Sequence, residues 1–362
     1  MRKIPIFIAL CLTIVFLLIC VFAPRNNTEV HTAVVSPALA SKLALEQKEY
    51  YHYNLLEDND KLLYVDILYV LTERLNSYRF TNLSESNLQI IIDFVLADHP
   101  EIFYFSNYNY IQYDNGDLEI QPIYDYTPEV IDSINKTIDD YVNDCLDDLD
   151  TDDDYETVKY FYEYLIDNTF YDTELYNNQF IDSVVCEHRS VCNGYAKMFQ
   201  YLCYEVDIPC IFVKGIIRDT AVSHAWNIVK INDNYYHVDC TWGDTSQVSK
   251  EFCYDFLLLS DEDIKITHII SNKAPMPDCN TLSDNYYVKE QLYFDAFNFA
   301  RYNKLLSTSC DYLTIRCKDK NILDEFTNYL FEEENIFNSL NTEDIYYRIN
   351  ESNNTFTVYF NT

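Results

Sequence analysis

Ser223-His224-Ala225-Trp226-Asn227-Ile228-Val229-Lys230-Ile231-Asn232-Asp233-Asn234-Tyr235-Tyr236-His237-Val238-Asp239-Cys240-Thr241-Trp242 is the stretch on which the fold turns. Two runs rich in β-branched and aromatic residues flank the polar triplet Asn232-Asp233-Asn234, so the pattern predicts a β-hairpin. With Asn232-Asp233 as a two-residue turn, Ile231 pairs with Asn234 and His224 falls opposite Thr241. Side chains alternate along a strand. His224 and Asp239 therefore share a face as diagonal neighbours, about 7–8 Å apart along the backbone and near enough for their side chains to meet. His237 lies on that face too. Upstream, Pro209-Cys210-Ile211-Phe212-Val213-Lys214-Gly215 reads as a buried strand. Before it, Ser190-Val191-Cys192-Asn193-Gly194-Tyr195-Ala196-Lys197-Met198-Phe199 opens a helix. Ala196, Phe199, Leu202, Cys203 and Val206 fall on one face at helical spacing, and Ser190 is the expected N-cap.

This layout puts Cys192 in the first turn of a helix, where the dipole and the free N–H groups favour a thiolate and can hold an oxyanion. A base on one strand with its orienting carboxylate on the next is what a Cys–His–Asp system requires. His224 would take the thiol proton, and Asp239 would fix the tautomer and stabilise the imidazolium. Each residue alone has a plainer reading: a small core cysteine, a half-buried histidine, a carboxylate at a strand end. The combination carries the chemistry. His237 is a rival base, expected to flank the site. Cys186, His188, Cys192 and Cys203 could suggest zinc, but their spacing matches no common structural zinc pattern, and no metal is expected.

The chain has 362 residues and a net charge of −34. It offers no basic stripe, so nucleic-acid binding is excluded as a reading, and anionic membrane surfaces are disfavoured. Glycine is scarce, four residues in all, and Gly194, Gly215 and Gly243 cluster around the cysteine–histidine–aspartate region. Such clustering predicts close backbone approach or tight turns there. Met1-Arg2-Lys3 followed by the apolar run Ile4–Ala23 reads as a secretion signal, favoured as an uncleaved anchor because Pro24 follows directly. The remainder would then be extracytoplasmic, membrane-anchored through that segment or secreted, with Arg2 and Lys3 inside. Twelve cysteines show no paired framework, although an exported chain can form disulfides.

The expected organisation is a signal segment (1–25), a linker (26–41), a helical and hairpin region (42–155), the core (156–280) and a small C-terminal α/β domain (281–362). Within the helical region, Leu43–Leu75 and Glu85–Ala97 read as helical, and Tyr110–Ile120 as a hairpin turning at Asn115-Gly116. Pro128 starts a helix that runs into the acidic stretch Asp144–Asp154. That stretch lacks the glycine and closing glutamate of a calcium loop and reads as a solvated turn. The C-terminal part reads as strand-helix-strand-helix-hairpin.

Four blocks together resemble the transglutaminase-like superfamily, which has a papain-like cysteine core. They are Cys192-x-Gly194-Tyr195-Ala196, Ile208-Pro209-Cys210 leading to Gly215, His224-Ala225-Trp226-Asn227, and Tyr236-His237-Val238-Asp239-x-Thr241-Trp242. More narrowly, they are similar to extracytoplasmic bacterial proteins with that core. Asp98-His99-Pro100-Glu101-Ile102-Phe103-Tyr104, Tyr171-Asp172 and Phe256-Leu257-Leu258-Leu259-Ser260-Asp261 extend the match to roughly residues 50–275. The resemblance implies an α+β fold: a cysteine-bearing helix packed on an antiparallel sheet, with an N-terminal helical/hairpin extension. It implies acyl transfer on a peptide or protein amide through a thioester, with no organic cofactor, as a peptidase, an amidase or a transglutaminase-like enzyme. A non-catalytic surface module with the same fold is the alternative. The calcium sites of animal transglutaminases have no matching motif. Relatives often carry an Ala-Tyr-Gly-like stretch before the cysteine where this chain has Ile181-Asp182-Ser183, so the second oxyanion donor stays open. Nothing in the sequence sets the oligomeric state.

Overall fold

The computed structural model describes residues 37–246, 251–271, 274–309, 311–340 and 345–359. The N-terminal apolar run lies outside them, as does the anchor read there. Among the described residues no helix is long and apolar enough to cross a membrane. The architecture is α+β.

The chain first builds a helical layer. Helix Pro37–Glu46 begins inside the stretch read as linker. The helical run expected over 43–75 is broken into pieces, the longest Asp58–Thr72. Helix Glu85–Asp98 starts where Ser84 accepts the Asn87 N–H and buries Leu88, Ile91, Ile92 and Val95. Its last residue, Asp98, is an anchor. One of its oxygens accepts from the His52 backbone N–H and pairs with His52 Nδ1 (2.8 Å), and the other accepts from Tyr53 N–H and Tyr64 hydroxyl. His99 bridges Glu101 and Gln47. The Asp98-His99-Pro100-Glu101 block thus serves the structure, as a buried polar hub with satisfied partners. The hairpin Phe105–Gln112/Leu118–Tyr124 forms, with Tyr78–Phe80 as third strand. Its turn is longer than two residues: Gly116 N–H donates to the Tyr113 carbonyl, and Gly116 takes a φ of +88°.

The central sheet has five strands in the order His268–Ile270, Cys210–Ile217, Ser223–Ile231, Asn234–Val238, Leu257–Leu259, every pairing antiparallel. The Ile231–Asn234 register follows the reading from sequence. Helix Cys192–Glu205 lies across one face of this sheet. Asn227 Nδ2–H donates to the Ala196 carbonyl at 2.9 Å, and Ala97, Ala196, Phe212 and Ala225 pack between helix and sheet beside Cys192. One continuous buried cluster runs from Tyr53 through these elements to Leu258.

The C-terminal part has its own core, with Phe294, Tyr302, Ile315, Leu323, Phe326 and Phe356 among its residues. Its sheet runs Tyr293–Phe294, Tyr312–Cys317, Thr355–Tyr359, Tyr346–Asn350, with helices Phe299–Leu306 and Lys320–Thr327 between strands. Asp255 fastens it to the central domain: its carboxylate accepts from Tyr287 hydroxyl at 2.6 Å, Asn350 Nδ2–H at 2.8 Å and Thr355 hydroxyl at 3.1 Å. An Arg316–Asp263 ion pair adds a second fastening.

Candidate active site

Cys192 is the first helical residue of Cys192–Glu205, and the N-cap is Val191. Ser190 does not cap the helix, contrary to the expectation from sequence. Its hydroxyl is fully buried, donates to the Asn178 carbonyl and meets Ser183 Oγ, each at 2.8 Å. The loop before the helix is thereby tied down, and Cys192 is aimed by a backbone held from behind. Helix geometry leaves the first-turn N–H groups without carbonyl partners in the helix, at the end where Cys192 stands.

The three clustered glycines serve close approach. A Cβ on Gly194 would meet Ser190 Oγ at 1.9 Å, one on Gly215 would meet the Ile269 carbonyl oxygen and the Trp226 ring at 2.4 Å, and one on Gly243 would meet Tyr162 Oη at 1.7 Å. None of the three has a left-handed φ.

His224 sits near the start of its strand, beside Gly215 on the neighbouring one. Its Nε2 lies 2.6 Å from Asp239 Oδ2. The strand expected to run on to Trp242 stops at Val238, and Asp239 becomes the N-cap of the short helix Cys240–Gly243, accepting the Trp242 N–H on Oδ1 at 3.1 Å. The cap bond orients the carboxylate, so one oxygen terminates the helix and the other faces the imidazole. Nε2 is committed to Asp239, which leaves Nδ1 as the nitrogen open to the sulfur, and His224 and Cys192 line the same cleft.

Burial works against the charged ring of His224. The Asp239 carboxylate, by charge and hydrogen bond, and the Cys192 sulfur outweigh it, pushing the ring up to about 10. Burial likewise works against the charge on Asp239, but the charge and hydrogen bond of His224, joined by the hydrogen bond from His268, hold its carboxyl well below the usual range. His268 was not singled out from the sequence. It is fully buried, and its Nε2 is 3.1 Å from the same Asp239 Oδ2. The downstream block read in the sequence stopped at Asp261, short of it. Only the pairing of His268–Ile270 with Gly215–Ile217 brings it in. Both tryptophans of the chain enclose the group. Trp226 lies 6.1 Å from His224 with near-parallel rings, and Trp242 lies 4.7 Å from His268.

His237, the rival base, is turned elsewhere. Trp226 Nε1–H donates to its Nδ1 at 3.0 Å, so its own proton is on Nε2 and faces Asp261 Oδ1 at 3.0 Å. Burial pushes this ring below the ordinary histidine range, against the pull of Asp261. Among the described residues, two groups bring three metal-type ligands together, His224–Asp239–His268 and His237–Asp261–Cys279. Neither contains Cys186, His188 or Cys203. The second has no free lone pair on His237 Nε2 to offer a cation, because the Trp226 bond fixes the tautomer. All nine described cysteines are free thiols.

A cleft of about 430 Å³ opens over Cys192 and His224. Tyr171, Gln179, Asn193 and Lys214 also line it. Gln179 is a further residue that sequence reasoning passed over. Its Oε1 accepts from Asn193 Nδ2 and its Nε2–H donates to Asn178 Oδ1, each at 2.7 Å.

A half-buried thiol at a helix start, a histidine, a carboxylate on that histidine and a cleft over the sulfur define the frame of a papain-like thiol protein. Residues 144–240 match the family model of the transglutaminase-like superfamily, and that span includes Cys192, His224 and Asp239. The chain is 29% identical over 123 residues to kyphoscoliosis peptidase of Mus musculus and 30% identical over 123 residues to that of Homo sapiens. Each match covers 28% of this chain and 19% of the relative, so the chain spans about a fifth of the length of these curated relatives. A solved TGase structure is a distant likeness, 12% identical with a TM-score of 0.29 over 48% of this chain and 52% of that one.

Proposed function

We propose that this chain is an exported thiol-dependent acyl-transfer enzyme acting on a peptide or protein amide. Cys192 is the nucleophile, His224 its base and Asp239 the group that orients the base. The 2.6 Å contact between His224 and Asp239, buried beside the half-buried Cys192 at the floor of an open cleft, carries the reading.

The chemistry follows from the atoms. His224 Nδ1 takes the thiol proton, and the sulfur then attacks the amide carbonyl carbon. The carbonyl oxygen gains the negative charge and faces N–H groups at the helix start. As the carbon–nitrogen bond breaks, the imidazolium returns the proton to the leaving amine, and a thioester stays on Cys192. Water or a second amine then attacks the thioester with His224 again as base, and the sulfur leaves. Asp239 is anionic throughout, held so by its three donors, and keeps the proton of His224 on Nε2 when the ring is neutral.

The test is a peptide-amide library incubated with the purified protein, with and without an added primary amine, and read by mass spectrometry. Cleaved peptide alone is expected of a hydrolase, and amine-bearing product of a transamidase. A Cys192→Ala variant that keeps the wild-type turnover contradicts the proposal.

A further inference from the structure

We infer that His268 is a positioning residue of this site: its Nε2–H shares Asp239 Oδ2 with His224, and by dividing that oxygen's negative charge it keeps the His224 imidazolium acidic enough to give its proton back. The inference rests on the triad reading above and deepens it.

The geometry is specific. His224 Nε2 and His268 Nε2 approach the same oxygen, at 2.6 and 3.1 Å, while the Trp242 N–H occupies the other oxygen. His268 Nδ1 lies 2.7 Å from the Thr267 hydroxyl. The hydroxyl can donate to Nδ1, which leaves the ring proton on Nε2, the only nitrogen facing the carboxylate. The His224 and His268 rings stand 5.2 Å apart, both packed against Trp226 and Trp242.

The consequence has a sign. A carboxylate in a dry site attracts a neighbouring imidazolium strongly. Each further donor on the carboxylate weakens that attraction. An imidazolium held too tightly forms a stable pair with the thiolate but is a poor acid toward a leaving amine. Removing the His268 donor therefore raises the affinity of His224 for its proton. A merely structural loss, loosening the His224–Asp239 contact, would lower it. The other ionisable groups facing the cluster stay the same in every variant: Cys192 on its helix, Tyr171 and Lys214 along the cleft, Tyr162 behind Asp239, and Cys240 and His237 beside it.

The experiment titrates the imidazole nitrogens by NMR and follows iodoacetamide alkylation of Cys192 against pH, in the full chain. The wild type, His268→Leu, His268→Gln and Asp239→Asn are compared. In His268→Leu the His224 midpoint is expected to rise by about half a unit to one unit, and the acid midpoint of alkylation to fall by a similar amount. His268→Gln, whose amide reaches the same place with an N–H, is expected to return both toward wild type. A His224 midpoint that is unchanged or lower in a folded His268→Leu protein overturns the inference and leaves the triad standing. If His224 titrates alike in wild type and Asp239→Asn, the triad reading fails and takes this one with it. Wild-type protein also tests the inference without any variant: long-range proton–nitrogen correlation is expected to report His268 with its proton on Nε2, and a ring protonated only on Nδ1 overturns the inference.

Discussion

Asp239 divides two oxygens among three donors: the Trp242 backbone, His224 and His268. Its replacement by Asn would keep the shape and the cap but remove the charge that holds His224 at about 10. We expect Asp239→Asn to lower amide turnover by roughly 10³-fold or more, by analogy with other triads. The loss of turnover at high pH should also begin at a lower pH, because only the Cys192 sulfur would then oppose burial at the ring. Lys197 offers a second test. It is buried on the cysteine helix, donates to the Leu96 carbonyl and faces the Phe180 and Phe212 rings. Burial, with the charge of Lys214, pushes it down to about 8. A lysine whose folded value is depressed binds its proton more tightly when unfolded. It therefore destabilises the fold fully below about pH 8, and the penalty fades as pH climbs toward the ordinary value near 10.5. Lys197→Met should gain on wild type by on the order of 3 kcal/mol more at pH 6 than near pH 10, read from urea midpoints. At this scale the sequence was legible where chemistry and spacing coincide, as at Cys192, His224 and Asp239. It was not legible at Ser190, whose hydroxyl a distant carbonyl claims, nor at His268, whose role depends on a strand pairing some 50 residues back.

The hairpin and the cysteine helix do most to build the site. The two-residue turn Asn232-Asp233 set the Ile231–Asn234 register, and a slip of one residue would put His224 and Asp239 on opposite faces of the sheet. The end of the second strand was less legible. Val238-Asp239-Cys240 continues the β pattern, yet Asp239 caps a helical turn instead, because a carboxylate that can accept a backbone N–H three residues on favours leaving the strand. On the cysteine helix, Gly194 lets Ser190 and the Phe180 carbonyl come close. Gly194→Ala should cost about 1–3 kcal/mol in chemical denaturation and slow Cys192 labelling, since the displaced Ser190 is what steadies the helix start. Unchanged stability would mean that the loop has room to yield.

The molecule combines a helical layer and a five-stranded central sheet sharing one buried cluster with a C-terminal unit that has its own core. Asp255 gathers three donors at the junction and is itself buried. Asp255→Ala would strand those donors and should cost about 2–4 kcal/mol. Hydrogen exchange should register the loss in the 346–359 hairpin before the central sheet. Loss appearing uniformly across the chain would argue that the two cores unfold as one. The order of elements in the C-terminal unit was readable from period and turn residues, whereas Asp255 was not, because its partners lie up to 100 residues away.

The central claim concerns Cys192, His224 and Asp239 as one proton-transfer unit, and the pH dependence of Cys192 alkylation by iodoacetamide tests it most directly. In wild type the rate near neutral pH should exceed that of His224→Ala by roughly tenfold or more, because His224 takes the thiol proton. In His224→Ala it should fall to a single rise near about 8.5. Superimposable curves for the two proteins would contradict the account.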